Sequence, residues 1–228
     1  MKRFVPVLLA VFVCGTALGG GSGSTPSPTP NCREPENHKF VVDRLLLYHD
    51  SGEYEREIRE VANSARDYLA TRVKDAPKED KLAAVFDIDE TSVSNWAALA
   101  DCGFCSFNVQ GRLYSVANDP AIVPVLELYN FAKSKGVALF FVTGRPEGAR
   151  AVTIKNLTDV GYSGWVDLIT RTDTAKQEPA RIFKSRQRQA ITDKGYRIVL
   201  NIGDQASDLA GCCAERTFKL PNPFYLID

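Results

Sequence analysis

From Leu82 onward, short apolar runs alternate with amphipathic helical stretches, and this alternation constrains the fold more than any other feature. The runs are Leu82–Phe86, Val137–Val142, Trp165–Thr170 and Arg197–Ile202. Helical patterns cover 121–135, 147–160 and 180–194, each followed by a glycine: Gly136, Gly161 and Gly195. A glycine just past a helix end takes up the left-handed turn that closes the last carbonyls. Strands that are apolar nearly throughout and separated by helices predict a parallel sheet covered on both faces. The expected fold is therefore α/β, doubly wound and Rossmann-like. Ahead of it, Tyr54, Ile58, Val61, Ala62, Ala65, Tyr68, Leu69 and Val73 recur at steps of three and four. Ser51-Gly52 separates them from an earlier helix around Phe40–Tyr48, and the pair reads as an N-terminal helical addition outside the sheet. The stretch 92–118 breaks the alternation and reads as a small cap inserted after the first strand. Such insertions sit over the ligand crevice at strand carboxyl ends.

The beginning of the chain has a different texture. Lys2 and Arg3 precede an apolar run, Phe4–Val13, and a small-residue exit, Ala17-Leu18-Gly19. This predicts a secretory leader over residues 1–20, with an apolar run shorter than the about 20 residues of a spanning helix. Residues 21–35 are Gly/Ser/Pro-rich and read as a linker, leaving 36–228 as the folded domain. Cys14, at the end of the apolar run, also resembles a lipoprotein anchor, although Val13 stands where that pattern wants a small residue. Cleavage near Gly19 or Gly20 is the expectation, and a lipid on Cys14 is the one route to a membrane. Lys+Arg and Asp+Glu both number 28, and loss of Lys2 and Arg3 leaves 26 against 28. No basic excess favours nucleic acid, so a small polar ligand is expected. Export makes disulfides available to Cys32, Cys102, Cys105, Cys212 and Cys213. Two disulfides and one spare thiol are expected, with the connectivity open. Cys102-Gly103-Phe104-Cys105 has half-zinc spacing, but the adjacent pair Cys212-Cys213 does not complete it.

The chemistry-bearing residues cluster at predicted strand ends. The first strand runs into Asp87-Ile88-Asp89-Glu90-Thr91. Two carboxylates this close at the edge of a parallel sheet need a cation between them, or a proton on one. The fourth strand ends in Gly203-Asp204, with Asp208 one helical turn on and a glycine that permits close backbone approach. Oxygen ligands of this kind suit Mg²⁺. Thr143-Gly144-Arg145 follows the second strand, where a hydroxyl and backbone N–H groups can cradle phosphoryl oxygens. Lys184, in the helix before the fourth strand, can offset charge that develops on a phosphoryl group. Arg186 and Arg188 read as surface residues, and neither His38 nor His49 reads as catalytic.

In this order the pieces resemble the haloacid dehalogenase (HAD) superfamily of phosphatases. The Tyr48-His49-Asp50-Ser51-Gly52 segment, the Asp-Glu-Thr ending of the first motif and the tail Lys219-Leu220-Pro221-Asn222-Pro223 are similar to the class B acid phosphatase and vegetative storage protein group. Cys212-Cys213 departs from that pattern, where small residues such as glycine are expected. The resemblance implies an acid phosphatase in which Asp87 takes the phosphoryl group and Asp89 transfers protons. It implies Mg²⁺ on the Asp87 carboxylate, the Asp89 main-chain carbonyl and the Asp204 carboxylate. Thr143, Gly144 and Lys184 would hold phosphate, and Asp208 would position Lys184 or a metal-bound water. A non-catalytic storage protein and a phosphotransferase to alcohols are the alternatives.

Overall fold

The computed structural model describes residues 35–77, 79–105 and 117–227. The leader, almost all of the linker (Cys14 and Cys32 included) and residues 106–116 of the insertion lie outside the described residues. Helices α1 (His38–Asp50) and α2 (Glu53–Lys74) lead into β1 (Lys81–Phe86), α3 (Trp96–Asp101), α4 (Val123–Ser134) and β2 (Ala138–Pro146). Then follow α5 (Arg150–Asp159), β3 (Asp167–Arg171), α6 (Ala180–Asp193), β4 (Tyr196–Gly203), α7 (Ala206–Leu209) and β5 (Ala214–Lys219). The five strands lie in the order β3-β2-β1-β4-β5, with every neighbouring pair parallel. Strand order reverses between β1 and β4, so their carboxyl ends flank the crevice where such sheets bind ligands.

Successive side chains of a strand point to opposite faces, and here both faces are dry. Leu82, Ala84 and Phe86 of β1 pack with Leu200 and Ile202 of β4 against α2 and α4, which supply Ile58, Leu69, Leu128 and Tyr129. On the other face, Ala83, Val85, Phe140 and Ile198 meet Phe183 and Ile191 of α6. Burial on both faces is why the strands read as unbroken apolar runs. The two N-terminal helices lie outside the sheet but are unequal. Helix α1 buries no residue, whereas α2 buries Tyr54, Ile58, Ala62, Ala65 and Leu69 and is one of the covering layers.

Strand β5 has no counterpart in the sequence reading. Its sequence AERTFK buries only Phe218, because it is an edge strand largely open to solvent. Strand β2 runs past Val142 through Pro146, carrying Thr143, Gly144 and Arg145 with it. Among the described residues there are two disulfides, Cys102–Cys105 and Cys212–Cys213. Cys213 has φ of 85°, a region that favours glycine, which is the residue the resemblance leads one to expect there. No described helix is long and apolar enough to cross a membrane.

Candidate active site

Strand register alone brings the first two acids together. Phe86 pairs with Ile202, and the Asp87 N–H donates to the Ile202 carbonyl at 3.0 Å. Asp87 and Asp204 thus sit one residue beyond adjacent strands, at the same edge. Carboxylate oxygens of Asp87, Asp204 and Asp208 lie within 4.8 Å of one another, and all three residues are buried. Asp208 comes back toward Asp204 because α7 is a single turn with a capping box, in which Asp208 Oδ2 accepts from the Gln205 N–H at 2.7 Å. Gly203 makes the approach feasible. A Cβ there would lie 2.4 Å from Asp208 Oδ2.

Lys184 of α6 answers part of this charge. Its Nζ donates to Asp87 Oδ1 at 2.6 Å and also to Asp208. Burial by itself would lower the Lys184 pKa, but Asp208 and Asp87 outweigh it and keep the ammonium protonated. One ammonium cannot satisfy three carboxylates. Burial pushes Asp87 well above the usual carboxylate range despite Lys184, and Asp208, Asp204 and Asp89 push the same way. Asp204 is raised to about 6, first by burial and then by Asp208. It stays oriented through hydrogen bonds from Thr91 Oγ1 (2.9 Å), Gln205 Nε2 (2.6 Å) and Asn222 Nδ2 (2.7 Å). A buried, oxygen-only cluster with negative charge to spare is what a hard divalent cation requires. The residues present therefore fit such an ion.

Asp89 belongs to a different circuit. Its carboxylate takes a fork from Arg145, with Nη2 at 2.7 Å and Nε at 3.1 Å, and a third bond from Asn95 Nδ2 at 2.9 Å. Although burial opposes it, Arg145 and then Asn95 hold Asp89 below the usual carboxylate range. Arg145 itself is buried and also donates to Thr153 Oγ1 at 3.2 Å. Between the two circuits stands Glu90, raised to about 8 by burial and by Asp89 and Asp204. Its backbone adopts φ of 50°, and its carboxyl is held by the Asn95 N–H at 2.7 Å and by the Tyr225 hydroxyl.

Asp87, Asp89, Gly144, Lys184, Asp204 and Asp208 all line one cleft of about 270 Å³. Thr143 is fully buried, and its Oγ1 accepts from the Arg145 N–H at 3.1 Å, which leaves the hydroxyl proton to donate. A Cβ on Gly144 would meet no protein atom within 4 Å. Every site residue expected from the sequence is therefore at this edge of the sheet, but the Asp89 carboxylate is turned to Arg145 rather than to the three-acid cluster. Arg188 corrects the reading of it as a surface residue. It is 1% exposed and donates to the carbonyls of Asp208, Ala210 and Cys212, fixing the loop behind Lys184. Arg186 does stand at the surface. Arg145, Asn95, Thr91 and Asn222 were given no role from sequence. All four lie in or beside segments that the sequence singles out, Asn222 in the tail Lys219-Leu220-Pro221-Asn222-Pro223, but nothing in one dimension says what they touch.

Comparison with known proteins agrees with this geometry. Residues 35–228 match the family model described as HAD superfamily, subfamily IIIB (acid phosphatase). An acid phosphatase 1 of Solanum lycopersicum is 37% identical over 76% of this chain and 69% of its own length. A vegetative storage protein 1 of Arabidopsis thaliana is 31% identical over 85% of this chain and 72% of its own. Among solved structures, a class C acid phosphatase from Bacillus anthracis superposes with a TM-score of 0.68 at 22% identity, over 82% of this chain and 85% of that one. That last likeness is one of fold.

Proposed function

The chain belongs to the acid phosphatases of HAD subfamily IIIB, hydrolases of phosphoric monoesters, and from that premise we propose that it acts through an aspartyl-phosphate on Asp87 with Mg²⁺ bound. One observation carries the reading: Asp87 and Asp204, more than a hundred residues apart in sequence, converge at a buried edge where Lys184 cannot neutralise them. The Asp87 and Asp204 carboxylates would hold the ion, with the Asp89 main-chain carbonyl. Bound there, the ion supplies the positive charge that lets an anionic nucleophile meet an anionic phosphate.

Asp87 attacks phosphorus and needs no separate base, because a carboxylate with a cation beside it stays ionised. Thr143 and the Gly144 backbone hold phosphoryl oxygens, and Lys184 offsets their charge. Asp208 keeps Lys184 aimed at Asp87. Asp89 lines the same cleft without being tied to Lys184, and we assign it the proton transfers. Arg145 holds it ionised, the form suited to taking a proton from the attacking water. Donation to the leaving oxygen requires that grip to loosen.

Turnover of 4-nitrophenyl phosphate should require Mg²⁺, stop on chelation and return when the ion is restored. Asp89→Asn should slow poor leaving groups most, since only they need the proton. The storage reading follows from the Arabidopsis relative. The presence of Asp87 argues against it, and absence of turnover across a broad phosphomonoester panel would reinstate it. Phosphotransfer differs only in the hydroxyl that attacks the intermediate, so product analysis with added alcohol separates the two. Export on a leader over 1–20, ahead of a linker over 21–35, belongs to the same proposal. A mature N-terminus near Gly19 or Gly20 is the expected result, against one at a lipid-bearing Cys14.

A further inference from the structure

The cleft has a basic wall that chemistry at Asp87 does not use. Arg171 ends β3 beside Pro146 of β2 and lines the cleft together with Lys176 and Ala180. Its guanidinium lies over the Phe183 ring, 5.2 Å from the centroid. Its Nε and Nη2 are shielded from solvent and have no hydrogen-bond acceptor among the described residues. Buried donors are nearly always paired, so two unpaired on a residue that lines the cleft leave positive charge there without a partner. The neighbouring acids are already engaged. Glu178, close enough for its charge to be felt, is gripped by Arg186 at 3.2 and 2.8 Å. Asp173 pairs with Lys176 at 2.7 Å. Ala180 opens the 14-residue helix α6, whose N-cap Pro179 offers no side-chain acceptor. The first-turn N–H groups there add positive potential to the same wall.

We propose that this wall is a second anion subsite, and that the substrate is a small phosphomonoester bearing a further carboxylate or phosphate group. The inference rests on Asp87 as the phosphoryl acceptor. Strands pack about 4.8 Å apart, so β3 lies on the order of 10 Å from β1. An arginine side chain covers part of that distance, which leaves a gap of roughly three to six carbons for the substrate to bridge.

The test compares substrates that differ in one anion: glycerol 3-phosphate with 3-phosphoglycerate, and fructose 6-phosphate with fructose 1,6-bisphosphate. In the wild type the anion-bearing member of each pair should have the higher kcat/KM, through a lower KM. In Arg171→Gln that ratio should fall about tenfold, with Arg171→Lys in between. Equal losses on both members would mean that Arg171 serves the transferred phosphoryl group, and would overturn the proposal, as would no loss on either. If the wild type turned over nothing, the phosphatase reading would fail on its own. Calorimetric titration would then decide the subsite. 3-Phosphoglycerate must bind the wild type more tightly than Arg171→Gln, and equal binding sinks the idea.

Discussion

The two ends of the sheet are built from the same ingredients and used in opposite ways. At the amino end, Arg72 grips Glu215 through Nε and Nη2 at 2.7 and 3.0 Å, and Arg197 meets Asp80 at 2.6 Å. Cross-pairs at 3.9 and 3.8 Å join these four into one network of two cations and two anions. It is partly solvated and balanced. At the carboxyl end, three buried carboxylates cluster beside one ammonium, which pairs with only two of them. A balanced network has nothing left to offer a ligand. The unbalanced one holds unmet charge in a dry place, where electrostatics are strong, and that imbalance makes it a site.

The largest expected effect tests the imbalance at its centre. Asp87→Asn should lower turnover at least about 10⁴-fold if Asp87 is the proposed nucleophile. The same change relieves crowding, and Lys184 keeps Asp208. The thermal midpoint of the metal-free variant should therefore stay level or rise. A fall of several degrees would show that the acids are satisfied without an ion. Next is Gly203→Ala. Its Cβ would press 2.4 Å from Asp208 Oδ2 and 2.5 Å from Asp208 Cβ, with Asp208 locked by Lys184 and Gln205. A loss on the order of 2–4 kcal/mol in denaturant unfolding is expected, together with weaker Mg²⁺ binding by calorimetry. Tolerance of the methyl group would mean that Asp208 is not rigidly placed.

The third prediction concerns pH. Asp204 is raised to about 6 and Asp87 is raised as well. A carboxyl group with a folded pKa above its unfolded one stabilises the protein at low pH, and that contribution is lost as pH rises through the folded value. Without metal, Asp204 alone should destabilise the protein by about 2 kcal/mol as pH climbs from about 4 to about 6, and Asp87 adds a loss of the same sign. Asp89, shifted downward, acts with the opposite sign, and most of its change falls below this window. A divalent cation displaces the protons, so the gap between thermal midpoints with and without Mg²⁺ should widen over the same interval. A gap independent of pH would detach the ion from these carboxylates.

What was legible in the sequence follows from the same contrast. Asp87 and Asp204 stood out because each ends a doubly buried strand, and an abrupt change from apolar run to acid survives in one dimension. Strand β5 gave no such signal, since an edge strand with only Phe218 buried has no pattern to detect. Arg188 looked like any charged residue of an amphipathic helix, yet its partners are carbonyls 20 to 24 positions away. Asn222 reaches Asp204 only because β5 returns the chain to the carboxyl edge. Supporting residues of this kind are assembled by topology, and topology was predicted only as a class. Asp89 shows the finer limit. Its place was readable, but its capture by Arg145, 56 positions on, was not.

The smallest effect tests the other end of the sheet. Arg72 and Glu215 form a well-oriented pair, and Arg72 holds Glu215 below its usual range chiefly through their hydrogen bond. Glu215 is 33% exposed and Arg72 18%, so water competes for both. Exposed pairs of this kind contribute about 0.2–1 kcal/mol. A double-mutant cycle with Arg72→Ala and Glu215→Ala should give a coupling energy within that range, and it should shrink in 1 M salt, because water and counter-ions reach both partners. Phosphatase activity should be unchanged in all three variants, because the pair lies at the opposite end of the strands from Asp87. A coupling near 3 kcal/mol that resisted salt would mean that the amino end is as dry as the site, and the two ends would then differ in charge balance alone. A loss of activity would be the more damaging result, since it would connect two ends that share no residue of the site.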